Sequence, residues 1–225
     1  METPKIILTK DGSHSLKMSS MEEHYHSTFG AISESRHVFI EAGLKYILTK
    51  KVAQLEILEI GMGTGLNVLL TLLELSKEGL NISYTALEPY PLHEEIWRNL
   101  NYPEIVSEQI AGEWFEMVHA SEWEERFEII PGFSLDKREI KLQDLQKTGP
   151  QYDLIYFDAF GPDVQPEMWT DEVFNKISAM TNKDGVLVTY SAKGTVRRGL
   201  QAAGFEVERI PGPEGKRHML RGFRC

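Results

Sequence analysis

The chain has 225 residues, 41% of them hydrophobic and 26% charged, with a net charge of −10. That length reads as one domain able to bury a full core, and the single cysteine, Cys225, excludes an intrachain disulfide and a multi-cysteine zinc site. Residues 1–20 mix charged and polar side chains, unlike a signal peptide. The longest apolar runs, such as Leu66–Leu75, are too short to span a bilayer, so a cytoplasmic protein with no membrane partner is expected.

In chain order, residues 1–50 show no strand–helix rhythm and are expected to pack on, or lid, a site in a domain formed by residues 51–225. They hold the polar cluster His24-Tyr25-His26-Ser27, then Glu34-Ser35-Arg36, which leads into a helix ending near Leu48. From Leu55 the rhythm is regular. Residues 55–60 form a strand, Leu66–Leu75 a helix, 82–87 a second strand and 92–100 a helix. Residues 104–128 form an acidic helical face. A third strand is predicted at 127–131 and a fourth at 152–157, apolar enough to be buried on both faces. Helix 173–180, a turn at Lys183-Asp184-Gly185, strand 186–190, helix 195–203 ended by Gly204, and strands 205–210 and 219–223 complete the chain. This alternation predicts an α/β fold with a mostly parallel, doubly wound sheet.

Gly61-Met62-Gly63-Thr64-Gly65-Leu66-Asn67 follows the first strand and opens a helix. Its G-x-G-x-G spacing differs from the G-x-G-x-x-G of dinucleotide sites. A pyrophosphate needs helix-end amides; S-adenosylmethionine carries no phosphate and needs only a turn of close approach. Glu88, ending the second strand, stands where a carboxylate accepts the ribose hydroxyls of an adenosine; the bland alternative is a solvated acid.

Asp158, in Phe157-Asp158-Ala159-Phe160-Gly161-Pro162, ends the fourth strand beside that turn. Methyl transfer from a sulfonium needs a neutral lone pair on the acceptor. Asp158 would hold an arriving ammonium and relay its proton, with Phe160 stacking on a flat base. Otherwise Asp158 caps a loop and Phe160 fills core.

These segments, with Glu34 to Phe39, Glu88-Pro89-Tyr90-Pro91, Pro166 to Thr170, Ser191-Ala192, Val196-Arg197-Arg198-Gly199-Leu200 and Gly215-Lys216-Arg217-His218-Met219-Leu220, run in order along the chain. In them the sequence resembles the methyltransferase domain of the MnmC family of tRNA wobble-uridine modification enzymes, in its stand-alone form. The resemblance implies a class I (Rossmann-like) fold using S-adenosylmethionine. It implies methylation of the amine of 5-aminomethyl-2-thiouridine, giving 5-methylaminomethyl-2-thiouridine. A chain of 225 residues leaves no room for the flavin-dependent oxidase of two-domain members, so a separate oxidase or amine-forming enzyme is expected upstream.

On this reading Gly61, Met62, Gly63, Gly65, Asn67 and Glu88 hold the cofactor, Asp158 is catalytic, and Tyr25, Glu34, Phe160, Arg197, Arg198, Lys216 and Arg217 meet the substrate. Simple packing on the sheet accounts equally well for Tyr25 and Glu34. The family places Gly-Asp after the third strand. This chain reads Gly132-Phe133, so Phe133 is expected against the adenine. Ala159 and Gly161 exchange the family's glycine and alanine, a small steric change.

Charge is uneven along the chain. From Lys193 onward eight basic residues face three acidic ones, a balance of +5; the rest has 16 basic against 31 acidic, −15. The basic stretch would contact tRNA phosphates, with affinity falling steeply as salt rises; a solvated basic face is the alternative. Glu22, His24 and His26 read as polar loop residues, with no metal expected. A small-molecule amine methyltransferase or aminopropyltransferase on the same fold suits the acidic body, and a non-catalytic cofactor-binding module is a further alternative.

Overall fold

The computed structural model describes residues 4–18, 23–50, 52–76, 78–146 and 151–225. Strands β1 (Lys5–Leu8), β2 (His14–Met18) and β3 (Glu23–His24) form a small antiparallel sheet. A continuous helix, α1, covers residues 31–48 and is wound as a π-helix through Arg36–Lys45. Asp11 in the β1–β2 turn caps this helix, accepting from Ser33 N at 2.9 Å. Burial opposes its charge, but hydrogen bonds from Ser13, Ser33 and Thr9 hold its pKa down at about 2.

The alternating part follows: β4 (Gln54–Ile60), α2 (Leu66–Leu75), β5 (Asn81–Leu87), α3 (Glu94–Trp97), α4 (Tyr102–Val106) and α5 (Ala111–Ala120). Then come β6 (Arg126–Ile130), β7 (Phe133–Arg138), β8 (Tyr152–Phe157), α6 (Asp171–Met180) and β9 (Thr181–Thr189). Helix α7 (Gly194–Ala202) and the hairpin β10 (Phe205–Pro211) and β11 (His218–Arg224) end the chain.

Eight strands make one sheet in the order β10-β11-β9-β8-β4-β5-β7-β6. The five central strands, β9, β8, β4, β5 and β7, are parallel, and both edges are antiparallel. Alternation along each strand feeds two cores. Ile57, Leu154 and Tyr156 pack with α1, α2 and α5; Leu58, Ile155 and Phe157 pack with α6 and α7. Chain order reverses at β4, which pairs with both β5 and β8. The crevice beyond the carboxyl ends of β4 and β8 is therefore the switch point where ligands bind in such sheets.

Three expectations are corrected here. The predicted third strand coincides with β6, but β6 is an antiparallel edge, and the third parallel strand is β7. β7 reads Phe-Ser-Leu-Asp-Lys-Arg and buries Asp136 and Lys137, so its polar sequence hides a buried position. Lys183 to Gly185 lie inside β9 rather than before it: Asp184 takes a φ of 63°, and the β8–β9 register shifts between Tyr152 and Leu154, an irregularity absorbed within the strand. The early segment, read as lacking rhythm, holds the three-stranded sheet, whose strands are too short to leave a period in the sequence.

Candidate active site

The crevice opens into a cleft of about 1050 Å³. One wall is the glycine turn after β4. Gly61 N and Met62 N both donate to Leu87 O, at 3.0 and 3.1 Å, which ties the turn to the end of β5. Gly61 has a φ of 89°, and a Cβ there would lie 2.7 Å from Asp158 O. Only glycine lets the ends of β4 and β8 approach so closely. Gly63, at a φ of 50°, would bring a Cβ to 3.0 Å from the Tyr25 ring. Gly61, Met62 and Gly63 line the cleft. Gly65 instead faces the His119 ring behind that wall.

Glu88, just beyond β5, is buried at the cleft edge. Its Oε2 accepts from Gly63 N and its Oε1 from Tyr90 N, both at 2.9 Å. Burial raises its pKa, and those two amides work against the rise. Each oxygen has a lone pair left for a ligand hydroxyl. A glycine turn with a carboxylate oriented beside it offers the close approach and the hydroxyl acceptor that the nucleoside part of S-adenosylmethionine needs.

Behind the turn lies a buried polar chain. Tyr84 Oη donates to Glu59 Oε2 at 2.9 Å. Asn67 Nδ2 donates to Glu59 Oε1 at 2.9 Å and to Asp158 Oδ2 at 3.0 Å. Asn67 is thus placed to orient Asp158, and it lies a layer behind the cleft wall. Asn67 Oδ1 is buried without a partner. Glu59 is fully buried, which raises its pKa well above the carboxylate range, and the charge of Asp158 adds to the rise.

Asp158 opens onto the cleft and is half-buried there. Burial first, and then the charge of Glu34, push its pKa up to about 7; the Asn67 hydrogen bond and Lys216 oppose them. A carboxylate poised there exchanges protons near neutrality.

Aromatic side chains complete the lining. Tyr25 meets Phe160 edge-to-face, with centroids 5.2 Å apart. Trp169 Nε1 donates to Phe160 O at 2.7 Å and so fixes the loop after β8. Tyr190 Oη donates to Ala159 O at 2.9 Å. Glu34, near the start of α1, is buried; it receives Ser27 N on Oε2 at 2.7 Å and Lys216 Nζ on Oε1 at 2.6 Å.

The structure therefore gathers Gly61, Met62, Gly63, Glu88, Asp158, Tyr25, Glu34, Phe160 and Lys216 around one cleft. Arg197, Arg198 and Arg217 are exposed and outside its lining. They stand at the same end of the sheet, on α7 after β9 and in the β10–β11 turn. Among the described residues no ion pair involves these three, whereas Lys193 pairs with Asp163 and Arg221 with Glu208. Part of the basic stretch is thus neutralised internally.

Phe133 is not in the cleft. It begins β7 opposite Ile82, at the amino ends of the strands, and stacks on Tyr84 with centroids 6.0 Å apart. The segment that actually follows the third parallel strand brings Ile140, Lys141 and Leu142 to the cleft. The misplaced strand caused this error.

His26 is buried, with Nε2 2.9 Å from Thr64 Oγ1, and His24 borders the cleft; Glu22 lies outside the described residues. Among the described residues no three His, Cys, Asp or Glu side chains are grouped to hold a metal. No described helix is long and apolar enough to cross a membrane. Glu59 and Tyr190 were missed. Their signals were a charge inside an apolar strand and an aromatic just past a strand's carboxyl end.

Residues 123–224 match the family model described as S-adenosyl-L-methionine-dependent methyltransferase. The chain is 32% identical over 209 residues to the tRNA 5-methylaminomethyl-2-thiouridine biosynthesis bifunctional protein MnmC of Pseudomonas syringae pv. syringae, a match covering 88% of the chain and 31% of that protein. The solved structure of MNMC2 from Aquifex aeolicus superposes with a TM-score of 0.79 and 26% identity, covering 99% of this chain and 70% of that one. Over 88% of its length the chain is similar to MnmC, and its second half carries the matched methyltransferase family's pattern. It spans about a third of the length of the MnmC proteins it matches, in the part that carries the methyltransferase. Spermidine synthase from Thermotoga maritima shares the fold, with a TM-score of 0.56 at 11% identity, covering 100% of this chain and 70% of that one. The MnmC likeness accords with the parallel sheet and its glycine turn, which together make the class I methyltransferase fold.

Proposed function

We propose that this protein methylates the primary amine of 5-aminomethyl-2-thiouridine at the wobble position of tRNA, giving 5-methylaminomethyl-2-thiouridine. The observation that carries the reading is Asp158, held at the tip of β8 against the glycine turn and facing an aromatic cleft. The cofactor is S-adenosyl-L-methionine, the donor of the matched family. Gly61, Met62, Gly63 and Glu88 would hold it. When bound, it supplies an electrophilic methyl group.

The chain's own residues do the rest. Phe160 and Tyr25 give faces on which a splayed-out uridine stacks. The amine arrives as an ammonium, which the carboxylates of Asp158 and Glu34 attract. Asp158 takes one proton and leaves the nitrogen lone pair free; the secondary ammonium product keeps its charge, and the proton leaves Asp158 for water. Asn67 and Glu59 keep the carboxylate aimed during the exchange. Arg197, Arg198 and Arg217 contact phosphates outside the cleft, as a sequence-independent term. An upstream reaction has to unmask the amine. The work is on cytoplasmic tRNA.

The test is nucleoside mass spectrometry of tRNA lacking the final methyl, before and after incubation with protein and cofactor. The expected outcome is loss of the aminomethyl nucleoside and gain of its monomethyl form. Unchanged nucleosides would reject the reading. Transfer to free putrescine instead of tRNA would favour a small-amine acceptor, which the two carboxylates at the cleft would also suit.

A further inference from the structure

The β10–β11 turn delivers an ammonium into the cleft. Lys216 N closes a tight turn on Pro213 O at 2.9 Å, and Gly212 N reaches Arg217 O at 3.2 Å. Gly215 lies flat against the Phe29 ring, where a Cβ would come within 2.5 Å of its edge. The turn is therefore clamped onto the N-terminal segment. Its Lys216 Nζ lies 2.6 Å from Glu34 Oε1 and 3.9 Å from the centre of the Tyr190 ring. The Glu34 side chain is only 7% exposed, so the carboxylate spends little of its charge on water. Tyr190 is anchored through its hydroxyl to Ala159 O, next to Asp158.

A carboxylate and an aromatic face on one ammonium make a general seat for a primary aliphatic amine. Lysine is also the side chain that leaves such a seat easily, because its stem is flexible and its head is a compact point charge. We propose that Glu34 and the face of Tyr190 are the recognition seat for the acceptor's ammonium, and that Lys216 fills this seat in the free protein and vacates it when the acceptor enters. This rests on the amine-methylating reading of the cleft. It divides the work: Glu34 and Tyr190 capture the charged amine, and Asp158 then removes the proton. Lys216, once displaced, is free to meet the anionic backbone that carries the acceptor. A neutral hydroxymethyl analogue gains nothing from the seat, so the device selects for amines.

The probe is benzylammonium chloride, an aminomethyl group on a flat ring, titrated into the full chain by calorimetry. Lys216→Met should bind it about tenfold tighter than the unmodified protein, because the seat is empty. Lys216→Arg, which refills the seat, should bind it as the unmodified protein does. Adding Tyr190→Leu to Lys216→Met should abolish the gain. An unchanged affinity in Lys216→Met, or a gain that survives Tyr190→Leu, would overturn the proposal. A measurement on the unmodified protein covers the case in which a variant does not fold. With isotope-labelled lysine, the Lys216 ammonium resonance should shift as benzylammonium saturates, and binding without that shift overturns the proposal as well. Neither readout needs methyl transfer, so a failed tRNA assay rejects the tRNA reading and leaves this result standing.

Discussion

The two walls of the cleft are made of different material. The glycine wall is mostly backbone: amides of Gly61, Met62 and Gly63 spent on Leu87 and Glu88, with Glu88 as the main side chain. The amine wall is side chains from four separated segments, namely Glu34 of α1, Asp158 after β8, Tyr190 after β9 and Lys216 in the last hairpin. A wall of backbone tolerates changes of side-chain chemistry but not an added Cβ. A wall of side chains is tuned by charge, so each ionisable neighbour shifts the next. That is why the pKa of Asp158 answers to Glu34 and Lys216, while the glycine turn answers only to space.

The largest effect should come from the amine wall. Asp158→Asn should lower kcat about 100- to 10,000-fold, the usual range for losing a proton acceptor, and leave calorimetric affinity for the cofactor unchanged. Equal losses in kcat and cofactor affinity would erase the division between the walls.

On the glycine wall, Gly61→Ala should weaken the cofactor about 10- to 100-fold and lower the melting temperature, because it combines a positive φ with a Cβ 2.7 Å from Asp158 O. Glu88→Gln should weaken the cofactor about tenfold, since the amide cannot accept on both atoms; KM for tRNA should stay put.

Acidity separates the walls in opposite senses. Asp158 has its folded pKa raised to about 7 from 3.8, so its contribution to stability is full below about 4 and is lost as pH rises through 7. Its activity runs the other way: kcat/KM should climb through pH 7 as the carboxylate ionises, and Asp158→Asn should lack that limb. His26 and His119 flank Thr64 of the glycine turn, and burial lowers them from 6.5 to about 4 and about 3. Both must stay neutral in the fold, so this support is full above pH 6.5 and is lost as pH falls through 4 and then 3. In denaturant titrations His119→Gln should gain stability relative to the unmodified protein as pH falls from 7 to 5.

The smallest effect lies outside both walls. Arg197→Ala with Arg198→Ala should raise KM for tRNA about threefold to tenfold and flatten its salt dependence by about two phosphate contacts. An unchanged KM would remove these arginines from the binding surface.

Local sequence announced the glycine turn, the acid after β5 and the acid after β8, because each is a strand end followed by a residue type that the strand itself would not carry. It also announced that β8 is buried on both faces, since its Leu154-Ile155-Tyr156-Phe157 is an unbroken apolar run. It misled at β7, where buried Asp136 and Lys137 are paid for by a salt bridge to Arg138 and a hydrogen bond to His119 O, neither visible in a pattern of polarity. Phe133 followed that error to the wrong end of the sheet.

Spacing and composition by themselves determined an alternating α/β chain with a close-approach turn and two acids poised beside it, since these features depend on residues within a few positions of one another. Only the folded chain decided that Glu34 meets Lys216 across 182 residues, and that Tyr190 lies beneath that ammonium. Such contacts are set by where strands and turns come to rest in space, and no local preference encodes a partner so far away.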